Sequence, residues 1–353
     1  MTAELVVRVT AVLFALATGL STEVGWSQSL ATTTPVSLRG AGATLPAPLY
    51  KKWIAVYRAS HPNVAIAYDA VGSGEGIKRF LAEAVDFAGS DEFLSAEDAS
   101  KVEDGVATVP STAGMVVLAY NIPGVTGEIR LPHDVYAEIF AGVITRWNDP
   151  RITSANPGVR FPARDIAVVA RLDSSGTTAA FTRHLAAASP AWRARGLGSG
   201  KIIAWPAATM LAAGNEGVAG RIKISEASIG YVEYGFAKRL GLPMAALQNK
   251  AGEFIPPSEA AAQLALSARI VHVKELERSI VDPSDPGAYP IVSYSWLFLY
   301  RHYRDRMKAD AVRDFVEWGL AQGQSYGPEL GYIPLSADVI SLGREVLGSV
   351  QTN

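Results

Sequence analysis

The chain has 353 residues, 49% hydrophobic and 19% charged, with 32 basic against 34 acidic side chains and a formal net charge of -2. That balance builds a core and excludes a disordered chain, and near-neutrality excludes bulk attraction to nucleic acid or to an anionic membrane, so a bound anion has to be held locally. Without cysteine there is no disulfide, thiolate metal site, cysteine nucleophile or N-terminal lipid anchor.

A largely apolar run from Val9 to Leu20 follows Arg8, and a Ser/Thr-rich stretch runs on to Thr34. The run is shorter than the roughly 20 residues of a membrane span and suits a signal-peptide core. Glu4 and the thin positive charge make the match imperfect, and a buried N-terminal helix is the alternative. The expectation is export, with residues 1–34 as signal peptide and leader and a mature chain starting between Ser21 and Pro35.

A strand–turn–helix rhythm begins at Val36. VSLRGAGAT reads as a strand into a glycine turn, and Leu49, Trp53, Ile54 and Tyr57 then recur at helical spacing after Pro46 and Pro48. Val64 to Val71 is strand-like, GSGEG follows, and a helix is expected from Ile77 to Ala84. VDFAGSD is a short strand ending in a polar turn, and SAED at 95–98 resembles a capped helix start. Val109 to Asn121 is a long apolar strand. A helix over Asp134 to Phe140, a strand over Ile166 to Ala170 and a helix within SSGTTAAFTRHLA come next. Ile229 to Tyr234 is a strand, with a helix ending near Leu240. VDPSDPGAYP, from Val281 to Pro290, reads as a linker. An apolar strand after Pro290 and a final helix around Ala309 to Leu320 complete the pattern. No segment after the leader is a convincing membrane span. Alternating strands and helices predict an α/β protein, and two crossing strands near Val116 and Ile291 would bracket a central domain.

Three Gly/Ser/Thr motifs sit between a strand and a helix: GAGAT at 40–44, GSGEG at 72–76 and SSGTT at 174–178. The first turn of a helix carries unpaired N–H groups and partial positive charge, and small residues let an anion reach them. One such motif is an ordinary capped loop; three, each with a hydroxyl, point to an anion site. None is a Walker sequence or a dinucleotide fingerprint, so no cofactor is expected. Arg171 offers a forked, permanently charged donor just before the third motif, and Asp173 is placed to hold it. A plain surface Arg–Asp pair is the alternative. The five histidines (His61, His133, His184, His272 and His302) lack HExxH or HxH spacing and read as surface or helix-cap residues rather than metal ligands. SSGTT is not a nucleophile elbow.

GAGATLPAPLYKKW, AVGSGEG, VDFAGSD, IAVVARLDSSGTTAAFT and IGYVEYGFAK, in this order and spacing, resemble the phosphate-binding receptors of bacterial phosphate ABC transporters from about Leu38 to Leu335. The resemblance implies a type II periplasmic-binding-protein clamshell, each lobe a mixed sheet flanked by helices and joined by two crossover strands. Lobe I would be residues 35–115 with 290–353, and lobe II residues 116–289. It implies that Thr44 and Leu45 supply a hydroxyl and N–H groups, that Ser73 does the same, and that Arg171 makes the charged contact, positioned by Asp173. Ser175, Gly176 and Thr177 would close the site, with Asp91 as the carboxylate at the ligand. Its partners would be inorganic phosphate and a permease complex in the inner membrane, and the protein a periplasmic monomer without a lipid anchor.

An ionised carboxylate only accepts hydrogen bonds, so Asp91 would accept a phosphate O–H and penalise sulfate, which has none. As a bare sequence feature Asp91 could equally be a helix N-cap. Two departures stand out: Glu75 in GSGEG, which either lowers anion affinity or pairs outward with Lys78 or Arg79, and Leu45 where an aromatic is common. The rival readings are a receptor for another protonated oxyanion such as arsenate, a phosphatase-like enzyme on the same cradle, and an adhesion protein that has kept the fold. The enzyme lacks an evident nucleophile or metal set.

Overall fold

The computed structural model describes residues 35–125, 127–267, 272, 276 and 280–352. The segment read as signal peptide and leader lies outside the described residues. In chain order the strands are β1 (Val36–Gly42), β2 (Val64–Ala70), β3 (Phe87–Ser90), β4 (Val106–Asn121), β5 (Arg130–Leu131) and β6 (Ala167–Arg171). They continue with β7 (Met210–Ala212), β8 (Ser228–Glu233), β9 (Ala246–Gln248), β10 (Phe254–Ile255) and β11 (Val292–Tyr300).

Eight of these strands hydrogen-bond in the order β2-β1-β3-β11-β4-β8-β6-β7, and β10, β9 and β5 form a smaller sheet. β1 runs parallel to β2 and β3, and β6 parallel to β7 and β8. β11 is antiparallel to β3 and β4, and β4 to β8. The protein is therefore mixed α/β, as the alternation predicts.

β4 serves two sets of partners. Val106 to Met115 lie opposite β11, and Val116 to Asn121 lie opposite β8. Both β4 and β11 are buried almost throughout, which is why they read as unbroken apolar runs. Their ladder is interrupted between Ser295 and Trp296, where Ser295 faces Thr112 and Trp296 faces Pro110. Proline has no N–H to give the ladder, so Pro110 belongs at such a bulge. The extra residue, Ser111, donates its hydroxyl to the Ser295 carbonyl at 2.9 Å. The bulge lies beside the candidate site described below, where Ser295 bonds Asp91.

The helix Ala47–Ser60 buries Leu49, Tyr50, Trp53 and Tyr57. Ile54 is only partly covered, and Tyr50 takes the place expected of it. The Trp53 indole donates to the Gly323 carbonyl at 2.7 Å. Full burial of such a side chain contributes about 1.5–3 kcal/mol.

Four sequence readings need correction. The second glycine motif is the first turn of a helix, Ser73–Leu81, rather than a turn before one starting at Ile77. Gly72, at φ 93, makes the bend that lets the helix start there. The helix Arg306–Ala321 is not the last, because Ala337–Leu347 follows it, capped by Ser336. Its Gly343 packs close to Pro110, and small residues on that face blurred the apolar stripe. The stretch read as a linker is anchored: Ala288 and Tyr289 are fully buried, and Asn249 Nδ2 donates to the carbonyls of Pro286 at 2.8 Å and Ala288 at 3.3 Å. Finally, His184 is not a surface residue but is buried inside the helix Gly176–Ala188. Among the described residues no helix is long and apolar enough to cross a membrane.

Candidate functional site

The site gathers where parallel strands end and helices begin, the usual place for a ligand in such sheets. β1 leads to Thr44, β2 to the helix Ser73–Leu81, β3 to Asp91, β6 to the helix Gly176–Ala188, and β7 to the helix Gly214–Ile224. Three helix N-termini, each with unpaired N–H groups and partial positive charge, are thus brought to one region.

Arg171 supplies the permanent charge. Its side chain is 1% exposed. Nε donates to Asp173 Oδ1 at 2.8 Å and Nη2 to Asp173 Oδ2, a forked pair that fixes the guanidinium plane. Nη1 is buried and has no hydrogen-bond partner among the described residues. Asp173 is itself tied down by the Gly214 N–H at 2.9 Å. Burial acts to raise its pKa, but the Arg171 hydrogen bonds and charge, with the Gly214 N–H, outweigh it and hold the carboxyl below the usual range. Gly72 passes so close to Asp173 that a Cβ would collide with Oδ2.

Asp91, buried at the end of β3, accepts from Ser295 Oγ at 2.6 Å through Oδ1. Its Oδ2 bonds no described residue. Burial pushes its pKa up to about 7; the Ser295 hydrogen bond and the Arg171 charge pull it down, and Glu92 raises it. The carboxyl thus sits between its two protonation states near neutral pH.

Ser73 joins the elements. Its Oγ accepts from the Asp91 N–H at 3.3 Å and the Gly176 N–H at 3.2 Å, both long, and its own proton is left to donate. A Cβ on Gly176 would stand 2.6 Å from Ser73 Oγ and 2.8 Å from Asp91 Oδ2, so only glycine permits this approach. Thr44 and Thr177 are linked through Asn215, whose Nδ2 donates to Thr44 Oγ1 at 3.0 Å and to Thr177 Oγ1 at 3.2 Å. Ser175 Oγ caps its helix by accepting from the Thr178 N–H at 3.0 Å. Leu45 turns its side chain into the core while its carbonyl accepts from Tyr332 at 2.7 Å, so it can serve a ligand only through its N–H.

The structure therefore brings Thr44, Ser73, Asp91, Arg171, Gly176 and Thr177 into one connected set, with Asp173 and Ser175 holding its members. Asp91 is no helix cap. Glu75 is turned away: Arg79 Nε donates to it at 2.9 Å, Lys78 lies 4.0 Å off, and the Arg79 hydrogen bond lowers its pKa.

Sequence reasoning missed Asn215, Ser295 and Glu233. Asn215 had a signal, since GNEG at 214–217 is a fourth glycine turn between strand and helix. Ser295 had none beyond being polar in an apolar strand. Tyr231 Oη accepts from the Arg171 N–H at 3.0 Å and bonds Thr178 Oγ1 at 2.7 Å. Glu233, fully buried, accepts from the Gly235 N–H at 2.8 Å; burial raises its pKa to about 8, against the Gly235 hydrogen bond.

A buried cation with an open donor, surrounded by hydroxyls and helix N-termini, is built for a compact oxyanion. A carboxyl in the same place selects one that carries hydrogen.

A family model described as a PBP superfamily domain matches residues 29–322. The chain is 36% identical over 312 residues to the phosphate-binding protein PstS of Pasteurella multocida, covering 88% of this chain and 89% of the relative. It is 34% identical over 347 residues to the phosphate-binding protein PstS of Methanocaldococcus jannaschii, covering 90% and 87%. Among solved structures it resembles a high affinity periplasmic phosphate-binding protein bound with phosphate, with a TM-score of 0.72 and 23% identity over 88% of this chain and 93% of that one. It also resembles a phosphate-binding protein from Stenotrophomonas maltophilia, with a TM-score of 0.68 and 23% identity over 89% and 94%. At these identities the structural likeness speaks for the fold alone.

Proposed function

The chain belongs to the PBP superfamily and, within it, to the phosphate-binding PstS proteins, and from that premise we propose that it captures inorganic phosphate at Arg171 and Asp91 and delivers it to an ABC transporter permease in the inner membrane. It binds its ligand and makes or breaks no bond. Thr44, Leu45, Ser73, Ser175, Gly176 and Thr177 complete the shell with hydroxyls and N–H groups. The protein works in the periplasm as a monomer, reached through the N-terminal apolar segment.

The working unit in this reading is a type II clamshell. Residues 35–115 with 290–353 make one lobe, 116–289 the other, and β4 and β11 cross between them. The change of partners along β4 at Met115 and Val116 supports that division. Thr44, Ser73 and Asp91 then come from one lobe, and Arg171, Ser175, Gly176 and Thr177 from the other. A ligand that touches both sides favours the closed form by its better contacts there.

One observation carries the reading: Arg171 Nη1 is buried without a partner among the described residues while Asp173 holds the rest of the guanidinium. Leaving a buried charged donor unpaired is costly, and an anion relieves it. Titration calorimetry with phosphate and sulfate from pH 5 to 8 tests this. Stoichiometric phosphate binding with sulfate rejected at pH 8 is expected; equal affinity for both, or no phosphate binding, overturns it. Competition by arsenate measures how far the site separates two anions that share the same proton pattern.

A further inference from the structure

We propose that His133, His184 and Asp282 form a second site, which binds one divalent transition-metal ion of the zinc class. One ligand atom from each of the three lies within 4.8 Å of those of the other two. His133 opens the helix His133–Phe140, His184 sits inside the helix Gly176–Ala188, and Asp282 lies in the loop before β11. Their separation in the chain hides the cluster from any reading of local spacing.

The unpaired atoms point to a missing ligand. His133 Nε2, His184 Nδ1 and Asp282 Oδ1 are each buried, and each lacks a hydrogen-bond partner among the described residues. Buried polar atoms are nearly always paired, and three orphans facing one space need a common partner. They cannot satisfy one another as they stand: His184 Nδ1 is 4.0 Å from Asp282 Oδ1, beyond hydrogen-bond reach. Two ligands each about 2.0–2.2 Å from one ion stand roughly 3.3–4.4 Å apart, so modest side-chain rotation closes the set.

The surroundings fit a metal ligand set. The other nitrogen of His184, Nε2, meets the Tyr136 hydroxyl at 2.6 Å. Such a partner on the far nitrogen orients a metal-bound imidazole and leaves the near one to the ion. Asp282 adopts φ 52, a left-handed conformation uncommon for a non-glycine residue, and strain of this kind concentrates at functional positions. Its side chain is 13% exposed, which gives an ion a route in. Two imidazoles with one carboxylate favour zinc, cobalt or nickel over magnesium or calcium. His184 lies two turns, about 10–12 Å, along the helix that begins at Gly176 and Thr177, so the ion would brace the far end of an element of the anion site.

The full chain, stripped with a chelator and dialysed, is titrated with Co2+ and then Zn2+. One equivalent of Co2+ giving visible ligand-field absorption, displaced by Zn2+, is expected, as is a rise in Tm of about 3 °C or more at saturating Zn2+. Asp282→Asn and His133→Gln, which keep side-chain size, should each weaken Zn2+ binding at least about tenfold and leave phosphate binding unchanged. Absence of stoichiometric uptake by the unsubstituted chain overturns the proposal, and so does Zn2+ affinity that neither substitution changes.

Discussion

Ser295 of β11 donates a 2.6 Å hydrogen bond to one carboxylate oxygen of Asp91 from beside the β-bulge in β4, and Asp91 Oδ2 bonds no described residue. In the proposed site the bulge would set a protonation test, tying one oxygen and leaving the other for the ligand. An ionised Asp91 accepts from a protonated oxyanion and opposes one without a proton, while a neutral Asp91 donates and loses that selectivity.

Asp91→Asn should keep measurable phosphate binding and relax the exclusion of sulfate, because the amide can donate where the carboxylate cannot. The gap between the two anions should shrink at least about tenfold by calorimetry at pH 8, since one penalised buried contact costs about 1–3 kcal/mol. In the unsubstituted protein sulfate should bind better at pH 5 than at pH 8, as Asp91 titrates near 7 in the empty site. Sulfate binding independent of pH would count against this role.

Arg171→Ala should lower phosphate affinity by about 2–5 kcal/mol, because it removes a desolvated charge and strands Asp173. Arg171→Lys should recover little of the loss, since an ammonium cannot replace the fork that Asp173 holds. Wild-type affinity in either variant would move the site elsewhere.

The stability of the ligand-free protein should fall as pH rises from about 5 to 8. Asp91 and Glu233 have folded-state pKa values of about 7 and about 8, above the ordinary values of 3.8 and 4.5. Groups raised on folding contribute stability that is complete below the unfolded pKa and lost as pH climbs through the folded one. The combined effect is on the order of a few kcal/mol. Thermal melts of the unsubstituted protein and Asp91→Asn check it: the substitution should flatten the lower part of the slope, below about pH 7.

Glu75→Gln should change phosphate affinity by less than about threefold. Its carboxylate is paired with Arg79 on its own helix, and exposed pairs of that kind are worth little. A gain of tenfold or more would mean that the charge reaches the ligand.

Asn215→Ala should cost both stability and affinity. Asn215 is fully buried, donates to Thr44 and Thr177, and accepts from the Glu233 N–H at 3.0 Å. Removing it strands that N–H and unties the two threonines, a loss of about 1–3 kcal/mol in unfolding experiments. Phosphate affinity should fall with it, because the hydroxyls lose their positioning.

Local chemistry was legible in the chain. Glycine and hydroxyl residues at strand–helix junctions, Arg171 two residues before Asp173, and the apolar runs of β4 and β11 each follow from neighbours in sequence. Near-neutral charge dictated that an anion be held by local donors, and periodicity dictated alternating strands and helices. The rest was decided by tertiary structure, because it depends on residues that meet only when distant strands pair. Ser295 reaches Asp91 across 204 positions, and Asn215 reaches Thr44 across 171. Burial, which raises the pKa of Asp91 and leaves Arg171 Nη1 without a partner among the described residues, is a property of the packed interior and of no single segment. So is the meeting of His133, His184 and Asp282, for desolvation and ligand geometry arise only between elements that the fold has brought together.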